Sequence, residues 1–425
     1  MKIIIISNNA ISSISNNGKT VKSFLKGIPS ENVANLYFGT NENPDSNSCK
    51  HFYRITELDI LKSFLTLRFS TSNSHEILMN RLTTISDNQT LTENILLRFI
   101  KKHSENLSFI REFLWNFRTW DTKELNDWIK AFSPDVIFSV LGDVVYTHII
   151  ARTIATRYSL PLHAYFTDDY VLNDSSKSWI GHLHYIKVKR SYKKTLSICD
   201  KAFVIGKKMK QAYEEYFHRN FGILVNGIDF TKFNTLTPKP FCPGEKFIIS
   251  FIGGIHLNRW KSIVELAKVA NQISNISFDF RVFCLKEPEA EIIEAFENAG
   301  VRYCGGLNSS QVMIEISNSH CLIHAESFDK KNRMYTKYSI STKIPEYMAS
   351  KRAIIAIGPS DIASIEIFKD NGIGCVITEK DSESDIKTKL KRLIATYNTI
   401  DYQRQFDFAF SNFRQENMLL SKLLR

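Results

Sequence analysis

Two β-branched runs most constrain the fold, because each opens the same strand, turn, helix pattern. Lys2 to Ser7 reads Lys-Ile-Ile-Ile-Ile-Ser, a strand apolar on both faces, followed by a polar loop and a helix from about Val21. Phe247 to Ile252 repeats the pattern, with Gly253-Gly254 as the turn and a helix from Lys261 that puts Ile263, Leu266, Ala267, Ala270 and Ile273 on one face. Strand and helix go on alternating after each opening, which predicts a parallel sheet covered by helices on both faces. The reading is therefore α/β, with two doubly wound domains facing a cleft.

Punctuation places the boundary. Ala202–Ile205 and Gly222–Val225 read as the last strands of the first domain. Asn226-Gly227-Ile228-Asp229 reads as a tight turn in which Gly227 is free to take positive φ, and Pro238, Pro240 and Pro243-Gly244 mark a linker. The expected domains are 1–226, a linker 227–246, 247–397, and a C-terminal helical tail 398–425 crossing back over both. Between about Thr56 and Phe132 turn signals are sparse, which predicts several helices. Phe109, Phe113, Phe117 and Trp120 are spaced to share one helix face, read as core. Asp121 with Glu124 reads as the cap of the next helix.

Composition narrows the partners. The 425 residues carry 55 Lys and Arg against 44 acids, a net charge of +11, which points to anionic ligands or surfaces. From Lys187 to Lys210 nine bases face one acid, Asp200, with Tyr185 and Tyr192 interleaved. That run suits an anionic membrane surface or a lipid-diphosphate acceptor. Nucleic acid is not expected, since no recognised nucleic-acid-binding signature accompanies it. The seven cysteines form no Cys-x-x-Cys pair, which fits reduced thiols in the cytoplasm. The opening apolar run is short for a signal peptide, and no run reaches about 18 apolar residues. The expected location is cytoplasmic, or peripheral on the inner face of the membrane. His182-x-His184 lacks a third ligand at credible spacing, so no metal site is assigned. Gly18-Lys19-Thr20 resembles the end of a phosphate loop, but Ser13 stands where its first glycine belongs; Gly18 is read instead as an acceptor-side close approach.

Candidate chemistry gathers where strands end. Ser341 to Gly358 reads as a short helix, a basic turn and a buried strand. Ser341 or Thr342 can cap the helix and Pro345 suits its first turn. Lys343 and Ile344 begin it, and Glu346 is near enough to accept from a ligand hydroxyl. Such a start favours an anion, as do Arg259 and Lys261 after Gly253-Gly254. Glu326 ends a strand facing the cleft, ahead of a polar loop with Lys330, Lys331, Arg333 and Lys337, expected to be a flexible flap. Thr167-Asp168-Asp169 ends another strand, where a carboxylate can bind an acceptor hydroxyl or take its proton.

Asn226-Gly-Ile-Asp229, Phe251-Ile-Gly-Gly254 with Arg259 and Lys261, and Lys343-Ile-Pro-Glu-Tyr-Met-Ala349, in that order, resemble the GT-B fold glycosyltransferases. The likeness is greatest to the retaining group 1 enzymes of bacterial surface-polysaccharide synthesis, from about Phe132 onward. The resemblance implies a UDP- or GDP-linked sugar as donor, no separate cofactor and no metal. It implies diphosphate contacts from Arg259 and Lys261, a ribose contact from Glu346, and a glycan or polyprenyl-diphosphate-linked acceptor entering by Asp168. One departure stands out: the family commonly has two glutamates eight positions apart, and Tyr338 occupies the earlier position. Glu326 is the candidate replacement after an insertion. A sugar-nucleotide epimerase of the same fold and an inactive membrane-associated assembly protein are the alternatives.

Overall fold

A computed structural model of the chain describes residues 1–12, 16–39, 44–57, 59, 60, 63, 112, 114–174, 176, 178–242 and 244–424. The expected helices between Thr56 and Phe132 fall largely outside this set, as do Phe109 and Phe113 of the aromatic stripe. The chain divides into two compact units, Met1–Leu224 with Met418–Arg425, and Val225–Asn417.

The first unit holds seven parallel strands: β1 (Ile3–Ser7), β2 (Val33–Tyr37), β3 (His51–Arg54), β4 (Val136–Leu141), β5 (Leu162–Phe166), β6 (Lys201–Val204) and β7 (Gly222–Ile223). Their order in the sheet is β3-β2-β1-β4-β5-β6-β7, so the direction of winding reverses between β1 and β4. β1 shows why a continuous apolar run was needed. Ile4 and Ile6 enter one core cluster and Ile3 and Ile5 another, one for each face of the sheet. The helices of this unit include α1 (Asn16–Phe24), α2 (Lys123–Phe132), α3 (Val145–Tyr158), α4 (Trp179–Leu196) and α5 (Lys207–Phe217).

The second unit repeats the plan with six parallel strands: β8 (Lys246–Ile252), β9 (Ser277–Phe283), β10 (Val301–Tyr303), β11 (Cys321–Ala325), β12 (Ala353–Ile357) and β13 (Cys375–Ile377). The order is β10-β9-β8-β11-β12-β13, with the reversal between β8 and β11. Its helices are α6 (Arg259–Ala270), α7 (Ala290–Asn298), α8 (Ser309–Asn318), α9 (Lys330–Thr336), α10 (Lys343–Ala349), α11 (Ala363–Asn371), α12 (Glu383–Ala395) and α13 (Tyr402–Phe413). A last turn, α14 (Leu420–Leu423), belongs to the first unit: Leu420 is fully buried in its core, and Lys201 Nζ donates to the Leu423 carbonyl at 2.8 Å.

Several expectations change. Gly227 is not at positive φ; residues 225–229 run without a tight turn, and Ile228 bridges to Arg414. The two described residues of the aromatic stripe, Phe117 and Trp120, do not continue one helix, because the helix stops at Asn116 and Arg118 turns left-handed at φ 55°. Phe117 is half exposed, while Trp120 is buried and Trp115 stacks on Tyr146 at 3.9 Å. Thr122 caps α2 by accepting from Leu125 N; Asp121 instead makes a two-toothed pair with Arg157. Residues 330–336 form α9, a helix in place of the expected flap, and Arg333 is held by Asp361 at 2.6 Å and Glu379 at 3.3 Å. Among the described residues no helix is long and apolar enough to cross a membrane.

Candidate active site

In an open parallel sheet the loops at the carboxyl ends of the two strands flanking the reversal splay apart and leave room for a ligand. In the second unit these are the loops after β8 and β11. β8 runs into Gly253-Gly254. A side-chain carbon on Gly254 would sit 2.5 Å from His256 Nδ1, so a glycine lets the loop fold over that ring. Leu257 and Asn258 are both left-handed, at φ 59°. This strained turn is held by the start of α9: Asn332 Nδ2 donates to the Leu257 carbonyl at 2.8 Å, and Asn258 Nδ2 to Asp329 at 2.6 Å.

The turn delivers Arg259 as the first residue of α6. Its Nε donates to Glu326 Oε2 at 3.1 Å and its Nη2 to Oε1 at 3.3 Å, a fork-to-fork pair. A third guanidinium nitrogen lies 3.3 Å from His256 Nε2. Glu326 follows β11 directly and is buried; its own N–H donates to the Ile357 carbonyl, and its carbonyl accepts from Ser262 Oγ at 2.7 Å. Burial pushes its carboxyl up, and Arg259 pulls it back. Gly358 makes space for it, since a methyl there would stand 2.9 Å from Glu326 Cβ. On the same face of β11, buried His324 is held neutral, with its pKa lowered to about 3 by burial and by Arg259. Its Nε2 stands 3.7 Å from Glu326 Oε1.

Helix α10 is fastened to the same end of the sheet. The Tyr347 hydroxyl accepts from Ile252 N at 3.2 Å and donates to Ile252 O at 3.1 Å, one residue before Gly253. At the other end of α10, Gln405 Nε2 of α13 reaches the carbonyls of Tyr347, Met348 and Arg352. Lys343 and Glu346 form an ion pair at 3.0 Å, each about a third exposed. Ile344 is fully buried and its N–H is taken by the Ser341 carbonyl, so its side chain cannot meet a ligand. Neither hydroxyl caps as expected: Thr342 makes no side-chain cap, and Ser341 Oγ accepts weakly from Lys343 N at 3.3 Å. Lys261 is exposed, with its ammonium near the Trp260 ring.

In the first unit the predicted residues divide. Asp169 is buried and fully engaged, accepting from Val171 N, Leu172 N and the Tyr213 hydroxyl, with Asn173 at 3.4 Å. It organises the loop after β5; burial raises its carboxyl. Asp168 is half-buried and accepts from Thr167 Oγ1 at 3.1 Å. Gly18 is buried within α1. His182 and His184 go to different carboxylates, Asp174 and Glu112.

The second unit thus brings Arg259 and Glu326 into contact, with Gly253-Gly254 in the turn that precedes Arg259 and the Lys343–Glu346 pair on a helix bonded to the end of β8. Sequence reasoning missed His256, His324, Tyr347 and Gln405. Tyr347 lies in the helix that the sequence predicts from Lys343, as its first large aromatic residue; Gln405 carries no local signal.

No family model matches the chain, and no curated protein matches it. Solved structures do, and the fold they define is GT-B. Among them are the apo lipopolysaccharide outer core galactosyltransferase WaaB (12% identity, 97% of this chain and 96% of that one, TM-score 0.60). A mutant of S. aureus TarM in complex with Fondaparinux, alpha-GlcNAc-glycerol and UDP also matches (11% identity, 100% and 99% covered, TM-score 0.59). So does WaaG, a glycosyltransferase involved in lipopolysaccharide biosynthesis (10% identity, 96% and 95% covered, TM-score 0.55).

Proposed function

We propose that the protein is a glycosyltransferase that moves a sugar from a nucleotide diphosphate donor to a hydroxyl of a glycan or polyprenyl-diphosphate-linked acceptor, at the cytoplasmic side of a cell membrane. The observation that carries this reading is the Arg259–Glu326 fork at the strand reversal of the second sheet, beside Gly254. It is supported by the GT-B fold and by the UDP held in the S. aureus TarM structure. Arg259, Lys261 and Lys343 supply positive charge for the negative charge that builds on the leaving diphosphate. Glu346 accepts from the ribose, and Asp168 receives the acceptor hydroxyl. In this reading transfer is metal-independent and retains the anomeric configuration, with UDP- or GDP-sugars as donors.

The test has two stages. Thermal shift against UDP-, GDP-, ADP- and CMP-sugars should raise the melting temperature with one base, since a ligand stabilises the state that binds it. Transfer should then fall by about a hundredfold in Lys343→Ala and in Lys261→Ala, at the scale of losing one charge-stabilising donor. No shift with any sugar nucleotide overturns the reading; an isomerised donor formed without acceptor would assign an epimerase instead.

A further inference from the structure

The helix α4 carries an outer surface that includes none of the residues assigned to sugar transfer above. Its inner side is fixed: Val188, Ser191, Tyr192, Thr195 and Leu196 are buried, and Arg152 binds the Ser191 carbonyl and the Thr195 hydroxyl. At 100° per residue, Trp179, Leu183, Ile186, Lys187, Arg190, Lys193 and Lys194 fall within an outer arc of about 120°. Trp179 is 73% exposed and Leu183 40%. Exposing an indole and a leucine one turn apart costs free energy in water unless something apolar covers them. The same helix holds five bases and no acid. The apolar residues occupy its first two turns and the bases its later ones. Other bases of the run are engaged within the chain: Lys189 lies on the Tyr185 and Tyr216 rings, Lys193 is near the Tyr216 ring, Lys201 binds Leu423 O, and Lys210 binds Glu214.

We propose that this outer face of α4 docks on an anionic lipid surface. Trp179 and Leu183 enter the headgroup boundary, and Arg190 and Lys194 lie over lipid phosphates. An indole at the interface with cations along the same face matches the chemistry of a bilayer surface, which offers an apolar layer beneath a negative one. A nucleic acid offers phosphates without that layer, and an acidic protein would leave the first two turns unmatched in charge. Docking and sugar transfer would serve one reaction, yet they fail separately, because donor-induced stabilisation is read without vesicles.

The experiment is co-sedimentation of the full chain with vesicles of phosphatidylcholine alone or of equal parts phosphatidylcholine and phosphatidylglycerol. Binding is expected on the mixed vesicles and release as salt rises. Arg190→Gln and Lys194→Gln should each weaken partitioning about fivefold and flatten its salt dependence. Trp179→Ala should weaken it about tenfold, and Trp179→Phe should retain it. These positions are exposed, so circular dichroism melts of the variants should match the parent. Absence of binding to mixed vesicles at low salt overturns the proposal, as does binding indifferent to Trp179→Ala. Single-stranded RNA bound as tightly, and indifferent to the apolar change, would overturn it in favour of a nucleic acid.

Discussion

Arg259 and Glu326 are not symmetric partners. Glu326 is buried and burial already disfavours its charge, whereas Arg259 keeps an exposed edge. Removing the arginine strands a carboxylate in a dry site; removing the carboxylate leaves a cation that water can still reach. Arg259→Ala should therefore cost about 3 kcal/mol in denaturant unfolding, and Glu326→Gln distinctly less. Adding Glu326→Gln to Arg259→Ala should restore much of the loss. The sign with pH follows: the cost of Arg259→Ala shrinks as pH falls, because Glu326 takes up a proton. Equal costs for the two single variants would refute this account. Gly358→Ala tests the same site from behind, and overpacking against Glu326 and Ile365 should cost about 1–3 kcal/mol. The sequence marked Arg259 and Glu326 separately, by position after a turn and after a strand. It did not mark their union, since 67 residues separate them and only strand order brings β8 beside β11.

Among elements, α10 shows how a short helix is held to a site. Seven residues are too few to be stable alone, so its fixtures are tertiary. Tyr347→Phe removes one hydroxyl that serves both backbone groups of Ile252 in a buried place, which should cost about 1–3 kcal/mol. It should also weaken donor binding, because α10 carries Lys343 and Glu346. Unfolding and thermal-shift titration of the same variant would check both; loss of stability with unchanged donor binding would separate α10 from the site. The helix itself was legible from Pro345 and the apolar strand after it. β2, β3 and β13 were not, because their residues sit in short, mixed runs without period-two alternation. The flap was misjudged for a related reason: charge in residues 330–337 reads as a loop, until Asp361 and Glu379 supply the partners that hold Arg333.

For the molecule as a whole, four buried histidines among the described residues, His148, His163, His320 and His324, weigh on the acid response, and burial lowers all four. Burial lowers His148 and His324 to about 3 and His320 to about 4. Each is neutral when folded and protonates near its ordinary value of 6.5 when unfolded. The unfolded chain thus binds more protons between about pH 6 and pH 4, and stability falls as pH falls. Each should contribute a slope of about 1.4 kcal/mol per pH unit, offset in part by Glu326 and Asp169, whose raised carboxyls act in the opposite sense. Urea unfolding at pH 7 and pH 5 measures the sum; a flat response would mean that these rings are charged in the fold. The general plan, two parallel sheets on a repeated strand–turn–helix opening, was readable from Ile3–Ile6 and Phe247–Ile252 because both-face burial demands such runs. A tail passing back over both domains was expected as well; the sequence did not mark Leu420 as the residue that enters the first unit's core, because one short apolar turn at 418–424 carries no longer periodic pattern.

That return makes the second unit an insertion between two pieces of the first. Leu420 fills a place beside Ile3 and Ile5 that stays empty until synthesis has passed the whole of Val225–Asn417. The later-made unit can close its own core as it emerges, while the earlier-made one must wait, incomplete, for its last few residues. The order of birth along this polypeptide is thereby reversed in the order of completion.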